Sequence, residues 1–170
     1  MTTNIETKTF KPRSSTGWVW VTITALIPLS VGLSLIMRFG FNGPALPTIL
    51  ITAPIGIGFL MIAVLFPTMK YEMDNSFIML TYGPLLRYTI DIKHIKSIRR
   101  CNLGFSPVSS FRFPGLAIFT VHYPNIGSVR MCATAASNDI LLIETDSNKY
   151  GITPADEPTF VAELRKRIES

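Results

Sequence analysis

Two long stretches without a charged residue constrain this chain more than any other feature. From Trp18 to Met37 (WVWVTITALIPLSVGLSLIM) there is none, and from Phe39 to Met69 there is again none. A helix of about twenty residues rises about 30 Å, the thickness of a bilayer's hydrocarbon core. Trp18 to Met37 has that length, and so does Pro47 to Phe66 (PTILITAPIGIGFLMIAVLF), which opens on a proline in the first turn and stops against Pro67. The intervening RFGFNGPAL carries Gly40, Asn42, Gly43 and Pro44, residues that turn a chain rather than continue a helix. The sequence therefore predicts a transmembrane helical hairpin over residues 18–67, with helices at about 18–37 and 47–66.

A signal peptide has a shorter apolar core and no second span at once behind it. A buried soluble hairpin would need a far larger surround than the remaining hundred residues supply. Trp18, Trp20, Phe39 and Phe41 fall at the helix ends, where aromatic rings favour the lipid-water boundary. Lys8, Lys11 and Arg13 precede the first helix and Lys70 follows the second, whereas the turn holds Arg38 alone. The bias of positive charge predicts a multi-pass protein of the cell membrane with both termini cytoplasmic, residues 1–17 forming a cytoplasmic N-terminal segment. Pro28 and Pro54 each remove a helical amide, and no charged side chain accompanies them, so they read as packing kinks rather than as a transport site. Ser30, Gly32, Ser34, Thr52, Gly56 and Gly58 permit close helix approach, either within the hairpin or toward helices of another subunit.

With 48% apolar and 16% charged residues, the excess of apolar character belongs to this hairpin. Of the net charge of +5, residues 1–69 hold four cations against Glu6, leaving only +2 to the rest. That balance does not suit a nucleic-acid binder. Cys101 and Cys132 lie apart from each other and from any histidine at metal-ligand spacing, and are read as reduced structural residues.

After Met69 the pattern becomes short alternating runs broken by turn residues, as in antiparallel strands. The runs are Lys70 to Asp74, Ser76 to Tyr82, Leu85 to Asp91, Ile95 to Asn102, Leu116 to His122, Ser128 to Thr134, and Ile140 to Glu144 continuing through Asp146 to Asn148 into Lys149 to Thr153. The count is seven or eight, with consecutive strands expected as hairpin neighbours. A helix over about 155–169 follows, with Phe160, Val161, Leu164 and Ile168 on one face and Arg165, Lys166 and Arg167 in its last turns.

Strands followed by one amphipathic helix resemble the pleckstrin-homology fold. More specifically, a hairpin followed by YEMDNSFIMLTYGPLLRYTIDIKHIKSI, and later by FRFPGLAIFTVHYPNIGSVRMCATAASNDILLIETDSNKYGITPADEPTFVAELRKRI, resembles the bacterial and archaeal PH-like domain proteins. The resemblance covers residues 69–170 and its motifs are structural. It implies a membrane-anchored α+β protein: a seven-stranded antiparallel bent sheet or partly open barrel closed by the C-terminal helix, with a bias toward binding rather than catalysis.

No catalytic, cofactor or metal constellation is visible. His94 and His122 lack HxH, HxxxH or HExxH companions, and the glycines form no phosphate loop. Two surfaces remain as candidates. Lys93, Lys96, Arg99 and Arg100, with Arg112 and Arg130 joining them in space, would suit an anionic lipid headgroup or an acidic partner; a solvated strand edge that resists aggregation is the alternative. The stretch Asn102 to Gly115 is read as irregular, displaying Phe105, Phe111 and Phe113 around Arg112 as a membrane or protein contact, unless it folds back over the core. The expected function is a non-enzymatic, membrane-tethered module that binds anionic lipid or other membrane-protein subunits as an accessory or regulatory subunit. A transport or enzymatic assembly that uses the kinked hairpin is the alternative.

Overall fold

The computed structural model of the chain describes residues 7–41, 43–104 and 109–169. They divide into a helical unit, Thr16–Pro67, and a β-rich unit made from the described residues up to Ser15 together with those from Thr68 onward.

In the helical unit, α1 (Gly17–Phe39) and α2 (Ala45–Leu65) are each long and apolar enough to cross a membrane. They pack antiparallel through small residues. A Cβ on Gly56 would lie 2.5 Å from Leu29 Cγ and 3.1 Å from the Ala25 carbonyl, and one on Gly32 would lie 3.0 Å from Thr52 Oγ1. Gly32 and Gly56 therefore serve the hairpin itself, which settles one of the two readings left open by sequence. Val21, Ala25 and Gly32 are buried on the contact stripe of α1, while Leu26, Ile27, Leu33, Leu50, Ile57 and Val64 face outward. Hydroxyls on α1 return to their own backbone: Thr22 donates to the Trp18 carbonyl, Thr24 to Trp20, Ser30 to Ile27 and Ser34 to Val31. Such bonds satisfy a polar atom without water.

The β-rich unit holds two sheets. Strands β1 (Lys8–Phe10), β2 (Met69–Met73), β3 (Phe77–Tyr82) and β4 (Leu86–Asp91) form an antiparallel sheet in that order. Strands β5 (Ile95–Cys101), β6 (Ser109–Phe113), β7 (Leu116–Tyr123), β8 (Gly127–Ala133), β9 (Ile140–Thr145) and β10 (Lys149–Ile152) form the second, in the order β5-β9-β10-β8-β7-β6. Helix α3 (Glu157–Ile168) follows, its first turn capped by the Asp156 carboxylate accepting the Thr159 N–H at 3.1 Å.

Three points depart from the sequence reading. The strands number ten among the described residues, and β6 occupies ground read as irregular, pairing with β7 across a turn in which Gly115 takes φ 81°. Strand β1, which the sequence did not reveal, pairs Lys8 with Met73 and Phe10 with Tyr71. Not all consecutive strands are hairpin neighbours, because the β9–β10 hairpin inserts between β5 and β8, and β10 runs parallel to β8. The run Ile140–Ile143 is buried on both faces, as suits a strand lying between β5 and β10.

The segment before α1 is knitted into this unit along its length. The Phe10 ring meets Phe160 of α3 edge-on at 5.0 Å, and Lys8 pairs with Glu163 at 3.2 Å. The Arg13 N–H donates to the Thr153 carbonyl at 2.7 Å, and the Ala155 N–H to the Lys11 carbonyl at 2.9 Å. The helical unit is thus an insertion between two paired strands.

Tyr71, Ile78, Leu80 and Tyr82 of the first sheet are fully buried, as are Ile118, Cys132, Ile143 and Ile152 of the second and Phe160 and Leu164 of α3. The opposite face of the second sheet buries a further cluster that includes Val121, Val129, Met131 and Leu142. A polar knot joins the sheets. Tyr71 donates to the Cys132 carbonyl at 2.8 Å and accepts the Thr153 N–H at 3.3 Å; Thr153 Oγ1 accepts the Thr134 N–H at 2.8 Å and meets the Thr134 hydroxyl at 2.9 Å. Burial pushes the Tyr71 phenol far above its ordinary value, so it remains a donor at any physiological pH. Tyr71→Phe keeps the ring and strips the knot of its central atom, so it should lower stability by about 1–3 kcal/mol, read as a fall in the denaturant midpoint of the purified chain. An unchanged midpoint contradicts this role.

Candidate functional site

The cations singled out by sequence fall into three separate settings. The first is β5, an edge strand, where most of them stand opposite carboxylates. Lys96 meets Asp146 at 2.7 Å, Arg99 meets Glu144 at 3.0 Å, and Arg100 meets Glu157 at 2.9 Å. Glu144 also accepts the Ser97 hydroxyl at 2.6 Å. That bond first, then Arg99, holds its carboxyl below the ordinary range, and Lys96 does the same to Asp146. Glu157 raises the pKa of Arg100, and it also lies 3.8 Å from Arg13, so Arg100 helps clamp the N-terminal segment to α3. Lys93 lies in the turn between β4 and β5, its N–H donating to the Asp91 carboxylate at 3.0 Å, and among the described residues its ammonium has no ion pair. The strand is a ladder of matched charges rather than a field of free cations.

The second setting is β6, the opposite edge of the same sheet. The Arg112 guanidinium carbon stands 5.5 Å from the Tyr123 ring centroid. Phe111 lies 5.5 Å from Phe113 and 6.1 Å from Phe119, ring to ring. Phe111 and Phe113 are half-buried in a strand, so they pack on the sheet and do not form a displayed loop. Phe105 lies outside the described residues.

The third setting holds Arg130 alone. On β8 its register neighbours are Thr120 of β7 and Tyr150 of β10, and Tyr88 reaches it from β4 in the other sheet. The guanidinium carbon is 5.7 Å from the Tyr88 centroid and 5.8 Å from that of Tyr150, and Nη1 lies 3.4 Å from the Tyr150 hydroxyl. Tyr88 is anchored by a hydrogen bond with Thr120; burial raises its phenol above the ordinary value, against the opposing pull of Arg130. No carboxylate among the described residues pairs with Arg130. It lines an open cleft of about 580 Å³ together with Thr89, Asp91, His94, Asp146 and Asn148.

The structure thus brings Arg130 to the His94 end of the basic segment and leaves Arg99, Arg100 and Arg112 elsewhere. Sequence reasoning missed Tyr88, Tyr150, His94 and the Thr145–Asn148 turn as companions of Arg130. One signal was present: in VRMCA an arginine interrupts a run that is otherwise buried on both faces, which requires a partner at the place it points to.

Neither cysteine is a ready nucleophile. Burial pushes the Cys132 thiol up to about 12 and raises that of Cys101. Among the described residues no three His, Cys, Asp or Glu side chains converge as metal ligands.

Residues 69–168 match the family model described as the bacterial PH domain. No curated protein and no solved structure matches the chain.

The Glu144 ladder has a pH dependence of definite sign. A carboxyl whose folded pKa is depressed contributes stability above its unfolded value and loses it as pH falls through the folded value. Unfolding midpoints of Glu144→Gln and the parent chain should therefore differ at neutral pH and converge below pH 4.5, the ordinary value of this group. A difference that persists or widens in acid contradicts the assignment.

Proposed function

Because the chain belongs to the bacterial PH domain family, we propose that it is a non-enzymatic binding module tethered to the cytoplasmic face of the cell membrane by α1 and α2, acting as an accessory or regulatory subunit of a larger membrane complex. Domains of this family are in general binding modules for proteins or lipid headgroups rather than catalysts. The observation that carries the tethering is the pairing of β1 with β2. Residues 8–10 and 71–73 share one sheet, so they lie on one side of any bilayer, and the chain between them crosses it an even number of times. Two apolar helices meet that condition, and their outward faces are large aliphatic side chains suited to lipid or to another protein's helices.

The division into a cytoplasmic segment 1–17, a hairpin 18–67 and a module 69–170 carries over into this reading, with residues 8–10 contributing a strand to the module. The cations ahead of α1 and behind α2 favour a cytoplasmic position for both termini. Matched charges along β5 favour a protein partner over adsorption to an anionic lipid surface, since Lys96, Arg99 and Arg100 already face carboxylates. Confinement beside a bilayer raises the effective concentration of membrane partners, so a modest contact suffices. A transport path through the hairpin has less support, because the hydroxyls of Thr22, Thr24, Ser30, Ser34 and Thr48 bond back to their own helices.

In a Cys101→Ser background, an impermeant maleimide should label Phe41→Cys on intact cells and Ser14→Cys only after lysis. Exchange of α1 and α2 for an unrelated two-span hairpin should retain the chain in the membrane and release the co-purifying subunits. Labelling of Ser14→Cys from outside, recovery of the chain in the supernatant without detergent, or a lone monomer in mild detergent each overturns the corresponding part of the proposal.

A further inference from the structure

We propose that the cleft at Arg130 is a binding site for a phosphate group. The inference deepens the binding-module reading and rests on it only for where the phosphate comes from.

Arg130 is half-buried between two sheets, yet it has no carboxylate partner among the described residues, unlike Lys96, Arg99 and Arg100. Its positive charge is met by two aromatic faces, Tyr88 and Tyr150, which hold a guanidinium in place but leave most of its N–H groups uncommitted. The single hydrogen bond from it, to the Tyr150 hydroxyl, is long at 3.4 Å. A planar donor fork fixed in orientation and lacking an anion is the arrangement that takes an oxyanion in paired hydrogen bonds.

The surroundings favour phosphate over carboxylate. Ser147 carries a hydroxyl and Asn148 a side-chain amide, which donates one hydrogen to Ser147 at 2.9 Å and keeps a second. The Thr145 hydroxyl is already given to the Asn148 carbonyl at 2.9 Å. One guanidinium with several neutral donors satisfies three or more oxygens, which a phosphate presents and a carboxylate does not. Asp91 and Asp146 also line the cleft and would repel an anion if left bare. Asp146 is held by Lys96 at 2.7 Å, and Asp91 accepts the Lys93 N–H at 3.0 Å and lies 3.4 Å from the His94 ring, so among the described residues that line the cleft Arg130 is the one arginine or lysine, and it has no carboxylate partner. A cleft of about 580 Å³ admits a phosphate together with part of what bears it, whether a lipid headgroup or a soluble phosphate compound.

The test uses the full chain in phosphatidylcholine nanodiscs, with inorganic phosphate and glycerol 3-phosphate titrated in and the Tyr88 and Tyr150 ring resonances followed. Saturable binding is expected, weakened about tenfold or more by Arg130→Gln and also by Arg130→Lys, which keeps the charge and loses the fork. Arg99→Gln should leave it unchanged. If Arg130→Gln does not fold, the double variant Ser147→Ala, Asn148→Ala reads the same site from its rim and should weaken binding at an unaltered melting temperature. Nanodiscs carrying phosphatidic acid distinguish the sources: competition with glycerol 3-phosphate identifies a lipid headgroup, and its absence identifies a soluble ligand. No saturable binding of either probe, or equal binding by Arg130→Gln, overturns the site. The titration asks nothing of topology or partners, so a chain that stays in the membrane and binds no phosphate sinks this inference and leaves the tethered module standing.

Discussion

The pairing of a three-residue strand, Lys8–Phe10, with Tyr71–Met73 is the constraint on which the rest of the structure depends. It closes a loop of about sixty residues, an entropic cost that grows only slowly with length and that a few good contacts offset. Those contacts are present: Phe10 buried on Phe160, Lys8 on Glu163, and backbone bonds that lace Arg13 and Lys11 of the segment to Thr153 and Ala155. The two helices make their contacts locally, within one hairpin, whereas β1 waits for β2 and α3 to exist. Order of assembly follows from that difference in sequence separation: the hairpin first, the closing strand late.

Charge in this chain does two different jobs, and counting residues does not separate them. Along β5 each exposed ion pair contributes about 0–1 kcal/mol, so the ladder matters less for stability than for keeping an open sheet edge from pairing with another chain. Arg100 goes further, because its carboxylate partner Glu157 stands at the start of α3 and also lies near Arg13. Arg130 is the opposite case. Half-buried and met by two tyrosines rather than by a carboxylate, it is the cation to which the proposal assigns an external anion.

What could be read from the sequence were the features written locally. The uncharged runs located α1 and α2 because lipid-length apolarity is a property of consecutive residues, and Phe160 and Leu164 marked α3 by their spacing. Turn residues such as Asp74 and Gly83 separated β2, β3 and β4 for the same reason. Strand β1 was illegible because Lys-Thr-Phe has no pattern of its own; it is a strand only through a partner some sixty residues away. Strand β6 was hidden by Pro114 and a register shift between Ser109 and Phe111 that breaks its alternation. The parallel partner of β8 was hidden because a hairpin turn reports which strands are adjacent in sequence, and nothing local reports where that hairpin is inserted.

The same non-local order makes the candidate cleft. Arg130 stands beside Tyr150 because β10 pairs in parallel with β8, while β9 lies on the far side of β10, between it and β5. Antiparallel neighbours in simple sequence order would have put β9 in that position, with its buried aliphatic run against β8 and no tyrosine for the guanidinium. Tyr88 arrives from the other sheet, which is held to the second by the Tyr71 knot and closed by β1. A single arginine thus acquires its aromatic cradle from both sheets, and its chemistry is a property of how they are ordered rather than of the basic stretch that first draws the eye.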